Sequence, residues 1–159
     1  MTKSIFAGLA LGIASLGLAS CGETAQEAVE APDGVPGLEI TNGRMVLPAV
    51  EGNPAAVYFD LKYNADRGLS LSRVDVAGAE SAMFHEYKEW AGRMEMGESN
   101  PLPLTNGTEY KFEPGGRHVM AMNVSPELQP GGTTEVTVFV SGGDKTSFPV
   151  DILAAGDER

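Results

Sequence analysis

Two histidines and seven methionines are the side chains of this 159-residue sequence best suited to chemistry, and both histidines fall in methionine-bearing segments. The first segment reads Met83-Phe84-His85-Glu86-Tyr87 and is followed, after a turn expected at Ala91-Gly92, by Arg93-Met94-Glu95-Met96. The second reads Arg117-His118-Val119-Met120-Ala121-Met122. Imidazole nitrogen combined with soft thioether sulfur selects Cu(I); zinc prefers thiolate, imidazole or carboxylate, and calcium or magnesium needs oxygen. A set of two imidazoles and two thioethers is neutral, so bound Cu(I) would keep its single positive charge without a buried anion. Only neutral imidazole binds a metal, so affinity is expected to fall as pH drops through the imidazole range near roughly 6.5, while the thioethers stay unaffected. The same residue types also serve as packing, because methionine fills irregular gaps and an isolated histidine is more often structural or exposed. Residue types alone leave metal site and core filler equally open.

The elements that would carry these residues are short strands. Val57, Phe59 and Leu61 alternate with Tyr58, Asp60 and Lys62, and Val136, Val138 and Val140 alternate with Thr137 and Phe139, which is the period of a half-buried strand. Further strands are expected at Leu71–Val76, Ala82–Glu89, Arg93–Met96, Thr108–Phe112, His118–Val124 and Ser147–Leu153. Turns are expected at Asn42-Gly43, Asn106-Gly107, Pro114-Gly115-Gly116, Pro130-Gly131-Gly132 and Gly142-Gly143. Many short strands at this spacing predict an all-β antiparallel sandwich or Greek-key barrel, with no repeat and no long amphipathic helix. In a regular strand His118, Met120 and Met122 share one face, as do Met94 and Met96. A hairpin from His85 to Met96 would bring those two together, and a neighbouring strand could deliver His118 and Met120.

Composition removes several classes of function. With 22 acidic and 11 basic residues the net charge is -11, so nucleic acid is not an expected partner. The single Cys21 rules out an intramolecular disulfide, a four-Cys zinc site and CxxC redox chemistry. A blue-copper electron carrier needs a Cys thiolate beside its two histidines, and Cys21 is committed elsewhere. No nucleophile-elbow motif accompanies the histidines, and a two-His, two-Met set leaves no evident position open for a substrate, so an enzyme is not expected.

Lys3 precedes an uncharged run from Ile5 to Ser20, the pattern of a secretory signal, too short for the roughly 20 apolar residues of a spanning helix. The run closes on Leu18-Ala19-Ser20-Cys21, which resembles the lipobox of bacterial lipoproteins and implies a lipid anchor on Cys21. Residues 1–20 are thus expected to be a signal peptide and 21–37 a lipidated cysteine with a flexible acidic linker. The folded domain is expected over 38–154, followed by a tail at 155–159.

His85, ten residues, Met96, twenty-one residues, His118, one residue and Met120 together resemble the signature of the PCu(A)C family of periplasmic copper chaperones. Pro54-Ala55-Ala56-Val57-Tyr58, Gly92-Arg93-Met94-Glu95-Met96, Phe112-Glu113-Pro114-Gly115-Gly116 and Leu128-Gln129-Pro130-Gly131-Gly132 extend the resemblance from about Leu38 to Leu153. The resemblance implies a cupredoxin-like Greek-key fold, one accessible Cu(I) held by His85, Met96, His118 and Met120, and transfer toward the copper centres of cytochrome c oxidase beside Sco-type proteins. A monomer is expected, its domain in the periplasm and tethered to the bacterial envelope through Cys21. Tyr87 stands where the family often has a methionine, and it and Trp90 are candidates to shield the copper. Met94 and Met122 are candidates for the rim of the site. No His- and Met-rich tail follows, so a second metal site is not expected. The alternative is a metal-free envelope lipoprotein serving as a β-sandwich interaction module, with its methionines buried.

Overall fold

The computed structural model describes residues 34–99 and 101–157, and these form an all-β fold without a helix. Ten strands follow in order: β1 (Leu38–Val46), β2 (Ala55–Tyr63), β3 (Leu69–Val76), β4 (Ser81–Trp90), β5 (Arg93–Glu98), β6 (Leu102–Leu104), β7 (Thr108–Phe112), β8 (His118–Met122), β9 (Thr133–Val140) and β10 (Lys145–Leu153). They hydrogen-bond into one sheet of order β5-β4-β8-β2-β1-β10-β9-β3-β6, with β7 also paired to β2. The path is open at β5 and β6, so the sheet is not a closed barrel. It folds over on itself, so that β3 packs beside β4 without pairing to it.

The core follows from period-two patterning. Val57, Phe59 and Leu61 of β2, Val136, Val138 and Val140 of β9, and Val74 and Val76 of β3 are all buried. Phe59 stacks on Phe112 with ring centroids 4.2 Å apart and meets Phe148 edge-on at 5.1 Å, so aromatic rings from β2, β7 and β10 fill its centre. Val35 is already part of this core, its backbone N–H donating to Thr146 Oγ1 at 2.8 Å.

Three departures from the sequence expectations have local causes. Asn42-Gly43 lies inside β1 as a bulge, where Asn42 adopts φ 57° and a Cβ on Gly43 would come within 2.9 Å of Val150 Cγ1. The strand β6 was not anticipated, because Pro103 at its centre signals a break; at the end of the sheet a missing N–H is tolerated. The pairing is not wholly antiparallel, since β1 and β10 run parallel from Arg44↔Asp151 to Val46↔Leu153.

The site is shaped by what happens along one edge of β2. There β8 pairs with Ala55–Val57 and β7 with Phe59–Tyr63, so the two strands continue one another, interrupted by the turn at Glu113–Gly116. Burial of Phe84 on β4 and of Val119 and Ala121 on β8 then directs the alternate residues of both strands to the opposite face.

Candidate metal centre

The outer face of β5-β4-β8 collects the residues that the sequence singled out. In the pairing of β4 with β8, His85 is directly opposite His118, Met83 opposite Met120 and Ser81 opposite Met122. In the pairing of β4 with β5, His85 is opposite Glu98, Tyr87 opposite Met96 and Glu89 opposite Met94. Directly opposed residues point to the same side of a sheet, so His85, Met96, His118 and Met120 share one face, and so do Met83, Tyr87, Met94, Glu98 and Met122. The two-residue turn that closes the β4–β5 hairpin has both Ala91 and Gly92 at positive φ, 51° and 78°, the conformation that matches the twist of the flanking strands.

The two imidazoles form the centre of the arrangement, with ring centroids 5.8 Å apart. Both ring nitrogens of His85 are buried and have no hydrogen-bond partner. Burial pushes the His85 imidazole below its ordinary pKa, and the positive charge that His118 can carry pushes the same way, against a partial pull upward from Glu98. The result is a neutral ring with a lone pair and nothing to accept it. His118, only 7% exposed, donates from Nδ1 to the Gly116 carbonyl at 3.0 Å, which leaves Nε2 as its lone-pair nitrogen. That carbonyl is presented by the turn between β7 and β8, so a glycine-rich break in the strand fixes the tautomer of the histidine two residues on.

Neighbouring strands complete the surround. The Tyr58 ring lies 6.4 Å from that of His118, and the Arg44 guanidinium stands 5.1 Å from the centre of the Tyr58 ring, so β1 and β2 wall one side of the imidazole pair. Glu98 on β5 bounds the other side and provides negative charge beside a site whose bound cation would carry one positive charge. Behind the sheet Arg117 Nη2 donates to Glu86 Oε2 at 2.9 Å, joining β8 to β4 one residue from each histidine. Burial pushes the Glu86 carboxyl up, but hydrogen bonds from Arg117 and Ser99 outweigh it and hold the group below its usual range.

The exposure of the methionines separates a site from a core. Met45 alone among the described methionines is fully buried, while Met94 is 63% and Met96 43% exposed, and Met83, Met120 and Met122 are half-buried. Core fillers would be fully inside; of the five methionines on this face two are exposed and three half-buried, and none is part of the core. Met94 and Met122 lie two residues further out from the histidine pair, at opposite ends of the patch, and neither borders it. Tyr87 is exposed beside Met96; the Trp90 side chain and Cys21 lie outside the described residues. Among the described residues no three His, Cys, Asp or Glu side chains converge as a metal site.

Sequence reasoning missed Met83, Tyr58 and Glu98. Met83 and Glu98 were within its reach, each lying two residues from a proposed ligand on the same strand and therefore on the same face. Tyr58 was not, because its position beside His118 depends on the β2–β8 pairing.

This open, all-β fold is that of the PCuAC domains. It matches a copper-bound PCuAC domain from PmoF2 with a TM-score of 0.61 at 22% identity, over 76% of this chain and 96% of that one. It also matches an apo PCuAC domain from PmoF1 (TM-score 0.63, 24% identity, 76% of this chain and 97% of that one). A third match is the solution structure of Cu(I)-bound DR1885 from Deinococcus radiodurans (TM-score 0.56, 21% identity, 85% and 89% of the respective chains). At these identities the likeness is one of fold. The model of the LpqE-like lipoprotein family matches residues 38–152, and the chain belongs to that family. No curated protein sequence matches the chain.

Proposed function

We propose that this protein is a copper chaperone of the bacterial envelope, which holds one Cu(I) at His85, Met96, His118 and Met120 and passes it to an acceptor protein. The observation that carries this reading is the His85–His118 pair, in which two buried, partnerless nitrogens of one ring face a second ring of fixed tautomer, with thioethers around both. A neutral mixed N and S set suits Cu(I), and its position at the surface suits carriage from protein to protein rather than catalysis. The copper-bound structures of the same fold support the choice of metal. The lipobox-like segment ending at Cys21 and the lipoprotein description of the family support a periplasmic domain tethered by a lipid. Resemblance to the copper chaperones supports cytochrome c oxidase assembly, beside a Sco-type protein, as the destination.

Titration of the protein with Cu(I) against a competing chelator tests the reading. One tightly bound equivalent is expected. His85→Ala and Met120→Leu should each weaken binding by at least about tenfold, since loss of even an outer-shell partner of a metal costs roughly 10–100-fold. Binding unchanged in both variants would place the metal elsewhere.

A further inference from the structure

The strand register distinguishes the two thioethers of the proposed set. Met120 is one alternate residue from His118 along β8, whereas Met96 is opposite Tyr87, on the far side of His85 and on the outermost strand of the sheet. In a flat sheet two strand spacings and four residues separate the Met96 and Met120 backbones by about 16 Å. For both sulfurs to meet one ion, the β4–β5 hairpin has to curl toward β8. Met83 needs no such movement. It is directly opposite Met120, about 4.5–5.5 Å away between Cα atoms, and one alternate residue, about 7 Å, from His85 along β4. His85, His118, Met83 and Met120 are thus the corners of a small rectangle on two adjacent, directly paired strands. Met83 is half-buried and borders a cleft between β3 and β4 with Leu71, Arg73, Glu98 and Pro101.

On the reading that this face binds Cu(I), we infer that Met83 is a further copper ligand and takes the place of Met96. With Met96 engaged the ion has its outer set, closed by the edge hairpin. With Met96 withdrawn, the ion settles into an inner set of His85, His118, Met83 and Met120, and the exposed Met96 strand is free to meet an acceptor. Copper stays Cu(I) throughout; one Cu–S bond replaces another, and no proton or electron moves.

Such exchange makes Met83 and Met96 substitutes for each other, which a double-mutant cycle reads directly. Met83→Leu and Met96→Leu keep side-chain volume and the fold, checked by circular dichroism. Each alone should weaken Cu(I) binding less than about tenfold, and the two together by more than about a hundredfold, far beyond the product of the single effects. In methyl-labelled Met96→Leu protein, the Met83 methyl resonance should shift on adding one equivalent of Cu(I). If Met96→Leu alone weakens binding as much as the double variant, or the Met83 methyl stays in place, Met83 is no ligand and the inference fails while the copper reading stands. If the unaltered protein binds no Cu(I), both fail together.

Discussion

At the scale of single residues, the decisive feature is an imidazole held neutral by its surroundings. His85 is pushed below the ordinary imidazole pKa by burial and by His118, so at a pH just below about 6.5 the unfolded chain takes up a proton that the folded ring refuses. Stability of the apo-protein is therefore full above about pH 6.5 and declines as pH falls from there through the lower folded value. Urea melts of the apo-protein between those limits should show the decline, and His85→Gln should flatten it. Copper affinity should fall in the same acid direction, and His85 should hold its neutral form to lower pH than a free imidazole does. The Arg117–Glu86 pair belongs to this scale too, because it fastens the two histidine strands from behind. Arg117→Ala leaves a half-buried carboxylate without its strongest partner, and a loss of about 1.5–3 kcal/mol in chemical denaturation is expected. Residue identity and spacing singled out His85, Met96, His118 and Met120 as candidates in the sequence, and the strand register puts all four on one face. The Gly116 carbonyl that orients His118 and the Tyr58 ring beside it were not, because each depends on a contact that only the folded chain makes.

At the scale of elements, the site exists because a buried set dictates an exposed one. Phe84, Val119 and Ala121 enter the core, and the period of two leaves His85, His118 and Met120 on the other face. That logic is readable from alternation alone, which is why β2, β4, β7, β8 and β9 were placed close to their true positions. It fails where backbone geometry outweighs pattern. Asn42-Gly43 carries turn chemistry yet serves as a bulge that lets β1 bend against β10, and Pro103 sits within a strand because β6 is an edge. The hairpin that carries Met96 turns through Ala91 at φ 51°, a conformation in which a Cβ is strained and which asparagine adopts more readily. Ala91→Asn should stabilise the protein by about 0.5–1 kcal/mol in thermal or chemical melts. A stiffer hairpin should also slow release of copper to an acceptor if the β5 strand has to move for transfer.

At the scale of the whole molecule, an open sheet ends at β5, the strand that bears Met94 and Met96, so the face proposed to hold copper adjoins a sheet edge where another protein can approach. Under the proposed function, the net charge of -11 favours an acceptor with a basic surface around its own copper site. Transfer to such an acceptor should slow as ionic strength passes about 0.1 M, where the screening length is about 10 Å, and stopped-flow measurement of transfer at low and high salt checks this. The fold class was legible in the sequence, from short alternating runs punctuated by glycine and proline. The open ends of the sheet and the parallel β1–β10 pair were not, since strand order depends on which edges meet and alternation is silent about that.

The central claim, that two imidazoles and two thioethers converge on one soft ion, is tested most directly by X-ray absorption at the copper edge on the protein loaded with one equivalent of Cu(I). Two imidazole nitrogens and two sulfur neighbours are expected at a single Cu(I) centre. A first shell of nitrogen and oxygen without sulfur would contradict the account.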